Sequence, residues 1–221
     1  MPNYGDPKYW DERYSEQEGS TFDWLESYAS LKSYLQPMLP SSEARILVLG
    51  CGNAEFSENM YDDGYHNIVN VDISPVVIEQ MKDRNQAREG MSFLVMDVRS
   101  MNFPDNYFDL AIDKSTIDAL LCGDQSFLNV AKMTREVQRV LKIDGYYAAI
   151  SYGVPENRAS HFTWDHLNWE YRHECVGGAG DDLDSRHFIY ICRKREGWLE
   201  ADGKWKEVEE QLFESEEDQG S

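Results

Sequence analysis

The chain has 221 residues, 21 of them basic and 41 acidic, for a formal net charge of −20 at pH 7. With 41% apolar and 13% aromatic residues it is neither a disordered nor a fibrous sequence, and its length fits one globular domain with a short appendage. Such acidity disfavours sequence-independent binding to phosphate backbones, so no direct nucleic-acid contact is expected, and it leaves solubility and attraction to a basic partner as its two readings.

The opening residues, MPNYGDPKYW, lack a basic stretch followed by an apolar one, and no segment approaches the roughly 20 apolar residues of a membrane span. A cytoplasmic protein without a membrane anchor is expected. Cys51, Cys122, Cys175 and Cys192 stand far apart without a CxxC pair, which favours free thiols over bridges and predicts no metal site. Residues 1–44 form an amino-terminal segment rich in aromatics, among them Tyr9, Trp10, Tyr14 and Trp24. At i, i+4 spacing these rings serve helix packing, or they present faces to a ligand.

Residues 45–198 read as the main domain. Ile46 to Leu49 is the first strand, followed by Gly50-Cys51-Gly52 and a helix from about Ala54 to Asp63; Ile68 to Val71 is the second strand, closed by Asp72. Ser74-Pro75 starts the next helix, with serine as N-cap and proline in the first turn. Strands follow at Ser92 to Met96 and Phe108 to Ile112, then a helix from about Phe127 to Leu141 and a fifth strand at Tyr146 to Ser151. This alternation is the pattern of a doubly wound α/β fold. Trp169 to Cys175 and His187 to Arg193 read as a closing antiparallel hairpin around the turn-rich stretch from Gly177 to Asp182, which makes a seven-stranded, mostly parallel sheet. Residues 199–221 form an acidic tail; from Lys204 on, two lysines face seven acids, and fraying is expected.

The chemistry concentrates at the first strand-to-helix turn. Gly50 and Gly52 allow a ligand close to the backbone at the carboxyl end of a strand, and Asp72, 20 residues after Gly52, ends the second strand where a carboxylate can accept both hydroxyls of a ribose. A dinucleotide fingerprint needs glycine at position 55, where this chain has Glu55, a poor neighbour for a pyrophosphate. A nucleoside cofactor without phosphate, such as S-adenosylmethionine, fits these residues better.

Tyr9-Trp10-Asp11-Glu12-Arg13-Tyr14, Leu47 to Asn53, Met96-Asp97-Val98-Arg99 and Asp113 to Leu121 together resemble the class I, seven-stranded methyltransferases that use S-adenosylmethionine, with S-adenosylhomocysteine as product. The resemblance spans about Tyr9 to Lys194 and is narrower to the methyltransferase-like 13 group, closest to the elongation factor 1-alpha lysine methyltransferase 4 type. The group usually reads Glu-Lys-Gly-Thr-Leu-Asp-Ala where this chain has Asp113-Lys114-Ser115-Thr116-Ile117-Asp118-Ala119.

The resemblance implies that Gly50 and Gly52 line the cofactor, that Asp72 holds the ribose hydroxyls with Ile73 beside it, and that Asp97 and Val98 cover the adenine. Asp97 has an alternative use as a turn cap before Ser100. The amino-terminal segment would be a lid with Trp10, Tyr14 and Trp24 as cofactor contacts, and Arg13 would pair with the cofactor carboxylate or with a surface acid. Lys114 matches a cofactor-site position, and Asp113 is a candidate for orienting an incoming ammonium, so both are candidate catalytic residues. Tyr152, Trp164, His161, His166 and His173 are candidates for an acceptor surface. The implied function is methyl transfer to a protein lysine, with elongation factor 1-alpha as partner; a small-molecule acceptor and a non-catalytic binding module remain open.

Overall fold

The computed structural model describes residues 3–17, 19–177 and 186–219. Helices α1 (Pro7–Glu16) and α2 (Tyr28–Leu35) precede an alternation of β1 (Ile46–Leu49), α3 (Phe56–Asp62), β2 (Ile68–Asp72), α4 (Pro75–Arg84), β3 (Met91–Val95) and β4 (Phe108–Lys114). Then come α5 (Thr116–Leu120), α6 (Ser126–Val140), β5 (Leu141–Ser151), α7 (Pro155–Arg158), β6 (Trp169–Val176), β7 (His187–Lys194), α8 (Trp198–Asp202) and α9 (Trp205–Gln219).

Among the described residues seven strands form one sheet in the order β3-β2-β1-β4-β5-β7-β6. The first five are parallel, and β7 runs antiparallel to both β5 and β6, as the hairpin reading requires. From Gly178 on, the turn-rich stretch between β6 and β7 lies outside the described residues. The chain crosses from β3 back over β1 to β4, so the carboxyl ends of β1 and β4 meet at a topological switch point, where an open α/β sheet leaves a crevice.

The strands are apolar because parallel strands are covered on both faces. All four residues of β1 are buried, and alternation divides them. Leu47 and Leu49 join Ala111, Tyr147, Ala149 and the α6 residues Val130, Met133 and Val137 on one face. Ile46 and Val48 join Ile112, Ala148 and Ile150 beneath Leu31, Leu35 and Phe56 on the other. Ser74 caps α4 through a hydrogen bond from the Val77 N–H at 3.4 Å, as its sequence position predicts.

The carboxyl-terminal segment corrects the expectation of a frayed tail. Residues from Trp205 on form α9, which lays Trp205, Val208 and Leu212 against Leu128 and Ala131 of α6. The spacing i, i+3, i+7 puts these three on one helical stripe, which the surrounding glutamates conceal in composition. Arg135 of α6 adds a two-point ion pair to Asp202, at 2.6 and 2.9 Å, and lies over the Trp205 ring.

Candidate functional site

A cavity of about 340 Å³ opens at the switch point, lined by residues of the β1–α3 turn, the ends of β2 and β4, the segment after β3, α5 and the amino-terminal segment. Gly50, Gly52, Asp72, Ile73, Asp97, Val98, Lys114, Trp10, Tyr14 and Trp24 all line it. One cavity therefore gathers ten residues proposed from sequence.

The β1–α3 turn explains both glycines. Gly50 has φ +56° and Gly52 φ +53°, the left-handed region that side chains disfavour. A Cβ on Gly50 would lie 2.2 Å from the Thr116 Oγ1, and one on Gly52 would lie 2.9 Å from the Tyr14 hydroxyl. The Thr116 hydroxyl in turn donates to the Leu49 carbonyl at 2.9 Å, locking β1 to the start of α5.

Asp72 is almost fully buried and accepts from the Gly52 N–H at 2.9 Å and the Ser74 N–H at 3.0 Å. Burial pushes its carboxyl above the usual range, with these backbone donors pulling the other way. The residue therefore fixes the glycine turn and the start of α4 while bordering the cavity. Asp97 accepts from the Arg99 N–H at 2.9 Å and from the Arg99 guanidinium at 2.7 to 3.1 Å. Burial alone would raise this carboxyl, but Arg99 outweighs it and holds it below the usual range.

The amino-terminal segment closes over this turn as a stack of rings. Trp10 stacks on Tyr14 with centroids 5.8 Å apart and meets Trp24 edge-on at 6.3 Å, while its indole N–H donates to the Tyr4 carbonyl. Arg13 lies over Phe22 and Trp24 at 5.3 and 5.1 Å and donates to the Tyr9 hydroxyl; it does not line the cavity. Tyr14, Val77, Ile78 and Phe93 form a small core that fastens α1 to α4.

Lys114 reaches back to this segment. Its ammonium pairs with the Asp23 carboxylate and donates to the Trp24 carbonyl at 2.7 Å, with the Phe56 ring 5.7 Å away. Burial lowers the Lys114 ammonium below its usual range, against the pull of Asp23. The lysine thus holds the covering segment in place.

Asp113 is a correction. It is fully buried, does not line the cavity, and accepts from the Tyr147 hydroxyl at 2.9 Å, the Thr116 N–H at 2.7 Å and the Ile117 N–H at 3.1 Å. In β4 it pairs with Leu49 and Ala149, on the face covered by α6, so alternation turns its side chain away from the crevice and into the core beneath α6. Burial pushes its carboxyl up to about 7, opposed by the Tyr147 hydrogen bond.

The acceptor-surface candidates divide. Tyr152, 57% exposed, stands at the cavity wall. Trp164, His161, His166 and His173 do not line it. His161 and His166 are core residues, the first against Phe127 and the second against Trp205. Burial pushes both imidazoles down from 6.5 to about 4. A depressed imidazole makes the unfolded chain bind more protons between these values, so this stability is complete above pH 6.5 and fades as pH falls towards 4. The stability difference between wild type and His161→Leu is expected to be about 2 kcal/mol less favourable to wild type at pH 5 than at pH 7.5. Urea unfolding at the two pH values measures it; a difference independent of pH would refute the buried neutral ring.

Sequence reasoning missed Asn53, Ser115 and Asp118 as cavity residues. Asn53 donates to the Ser20 carbonyl at 3.0 Å, a second tie to the covering segment. Ser115 has φ +69°, which explains why the group it resembles carries glycine there. Relief of this strain, less the greater freedom of an unfolded glycine, predicts that Ser115→Gly raises stability by about 0.5 to 1 kcal/mol. A denaturant midpoint that stays put or falls would contradict the strain. Asp118 lies in a stretch whose resemblance was recognised, but its contacts come from 33 to 40 residues downstream.

A model described as a methyltransferase domain matches residues 47–149, which include the glycine turn, Asp72, Asp97 and Lys114. Among solved structures, the N-methyltransferase NodS from Bradyrhizobium japonicum, in complex with S-adenosyl-L-homocysteine, shares the fold with a TM-score of 0.63 at 14% identity, over 85% of this chain and 99% of that one. The chain is 39% identical over 186 residues to the eEF1A lysine and N-terminal methyltransferase of Bos taurus, covering 81% of itself but 26% of that protein. It thus spans about a quarter of the length of such relatives. It is also 34% identical over 179 residues to the EEF1A lysine methyltransferase 4 of Mus musculus, covering 77% of itself and 70% of that protein. With a methyltransferase domain across its crevice and this similarity over most of both chains, the protein belongs to the methyltransferase family that includes EEF1A lysine methyltransferase 4.

Proposed function

We propose that the protein is an S-adenosylmethionine-dependent methyltransferase that modifies a lysine of a protein, with elongation factor 1-alpha as the substrate. The observation that carries this reading is that one cavity has Asp72 and Asp97 on the β2–β3 side of the glycine turn and Lys114, Asp118 and Tyr152 on the β4–β5 side.

The residues fit the cofactor group by group. Asp72 receives two backbone donors and keeps lone pairs for ribose hydroxyls. Asp97 can accept an exocyclic amine, between Met96 and Val98 on the same wall. Trp10, Tyr14 and Trp24 offer ring faces, each worth about 0.5 to 2 kcal/mol towards a sulfonium cation. Glu55, at the end of the turn, suits a ligand without phosphate.

When bound, S-adenosylmethionine supplies an electrophilic methyl group. The chain's part is to hold the acceptor amine in line with it and to exclude water, and good orientation alone is worth roughly 7 to 11 kcal/mol. No acid–base dyad is required, because a lysine amine needs only to present its neutral form. The covering segment, tied by Lys114, Asn53 and the contact of the His187 ring nitrogen with the Glu26 carboxylate at 2.9 Å, shields the β1 end of the cavity. The charge of −20 suits a basic protein as acceptor, and the names of the relatives specify elongation factor 1-alpha. We place the protein in the cytoplasm, since its four unpaired cysteines fit a reducing compartment.

The test is transfer of labelled methyl from S-adenosylmethionine in a cell extract, with Asp72→Ala in parallel and products separated by size. A labelled band at the size of elongation factor 1-alpha, absent with the variant and retained at lysine on digestion, is the expected result. Label confined to small molecules would replace the protein acceptor, and cofactor binding without transfer to any acceptor would leave a binding module.

A further inference from the structure

Asp113 is excluded from the cavity, yet a carboxylate does stand at its β4–β5 end. Asp118 of α5 lines the cavity beside Ser115, Ala119 and Tyr152. Its two oxygens are in different circumstances. Oδ1 accepts from the Ser151 hydroxyl at 2.5 Å and from the Arg158 guanidinium at 2.9 and 3.3 Å. Among the described residues Oδ2 accepts only the Tyr152 N–H, at 3.0 Å, and keeps acceptor capacity.

The surrounding structure fixes this carboxylate with unusual care for a half-exposed helix. Arg158 also donates to the Ser151 hydroxyl at 3.1 Å, and Ser151 accepts the Gly153 N–H at 3.0 Å. Gly153 permits the arrangement, since a Cβ there would lie 2.4 Å from the Arg158 guanidinium carbon. The Tyr190 hydroxyl closes the network on the Gly153 carbonyl at 2.5 Å. Residues from α5, β5, α7 and β7 thereby converge to set one carboxylate and the exposed ring of Tyr152 at the same wall.

On the reading that the protein methylates a lysine, we infer that Asp118 receives and orients the acceptor's ammonium group through Oδ2, and that Arg158 is its positioning residue. The pairing with Arg158 serves the chemistry. A bare carboxylate would favour the charged ammonium and hold back the neutral amine that transfer requires, whereas a neighbouring guanidinium offsets that effect and leaves the hydrogen-bond acceptor in place. The Tyr152 ring offers an apolar wall for the lysine's methylene chain, and the site so built takes an unbranched alkyl ammonium in preference to a hydroxyl or thiol acceptor.

The test uses the full chain with purified elongation factor 1-alpha as acceptor, comparing wild type, Asp118→Asn and Arg158→Lys, with calorimetric affinity for S-adenosylhomocysteine measured in parallel. Asp118→Asn is expected to lower kcat/KM for the protein acceptor about 10- to 100-fold, mostly by raising KM, with cofactor-product affinity within twofold of wild type. Arg158→Lys, which keeps the charge but loses the planar fork, is expected to lower kcat more than it raises KM. Acceptor kinetics unchanged in Asp118→Asn, or an equal loss of affinity for S-adenosylhomocysteine, would overturn the role of Asp118. Should Asp118→Asn not fold, unaltered kinetics in Arg158→Lys would overturn the assignment by themselves. A wild-type protein that binds S-adenosylhomocysteine but modifies no lysine of the acceptor would instead overturn the proposed function, and this inference with it.

Discussion

Gly50→Ala is expected to lower stability by about 2 to 5 kcal/mol and to abolish binding of S-adenosylmethionine at concentrations that saturate wild type. Two independent effects add. At φ +56° any Cβ meets the left-handed penalty, about 1 to 2 kcal/mol. The new atom also falls 2.2 Å from the Thr116 Oγ1 and 3.2 Å from both carbons beyond it, so rotating the threonine only exchanges one clash for another. Displacing Thr116 would break its bond to the Leu49 carbonyl and shift the start of α5, for an overpacking cost of about 1 to 3 kcal/mol. Urea unfolding and calorimetric titration measure the two effects, and Gly50→Ala with Thr116→Ala should recover the overpacking part while retaining the backbone part. A single variant as stable as wild type would show that the turn is not constrained as described.

Asp72→Ala is expected to weaken binding of S-adenosylmethionine by about 1 to 3 kcal/mol and to lower stability by a comparable amount. The carboxylate has two tasks. It satisfies the Gly52 and Ser74 N–H groups, and leaving either buried without an acceptor costs about 1 to 3 kcal/mol. It also offers acceptors for ribose hydroxyls. Asp72→Asn separates the tasks: its one carbonyl oxygen can serve one backbone donor, but its amide presents hydrogens where the other donor and the hydroxyls also present theirs. Asparagine should therefore rescue part of the stability and little of the affinity. Unchanged affinity in both variants would remove Asp72 from the ribose site.

The elements that surround the cofactor side were legible because their signals are local. A four-residue apolar run followed by Gly-Cys-Gly has the pattern of a buried strand entering a tight turn, and Asp72 stands at the end of the next such run. Small shifts occurred at element ends: β3 starts at Met91 instead of Ser92, and β5 extends back to Leu141. They move no residue out of the cavity lining. The acceptor side was less legible. Asp113 looked like a crevice residue because it stands near the end of β4, yet its alternation with Ala111 puts it beneath α6. The histidines looked titratable in the sequence, and burial beside Phe127 and Trp205 turns His161 and His166 into neutral packing groups.

The sequence by itself determined the doubly wound sheet, the glycine turn and the place of Asp72 at the end of the next strand, because the period of apolar residues and the residues that permit a tight turn act over a few positions of chain; Trp10, Tyr14, Trp24, Ile73, Val98 and Lys114 were legible only through the family resemblance. Only the tertiary structure decided which acid lines the cavity at its β4–β5 end and whether the acidic end of the chain belongs to the fold. Asp118 is defined by Ser151, Tyr152 and Arg158, and α9 by the α6 side chains Leu128 and Ala131. Such contacts join residues tens of positions apart, and their energies depend on burial and direction, which no local pattern of residue types encodes.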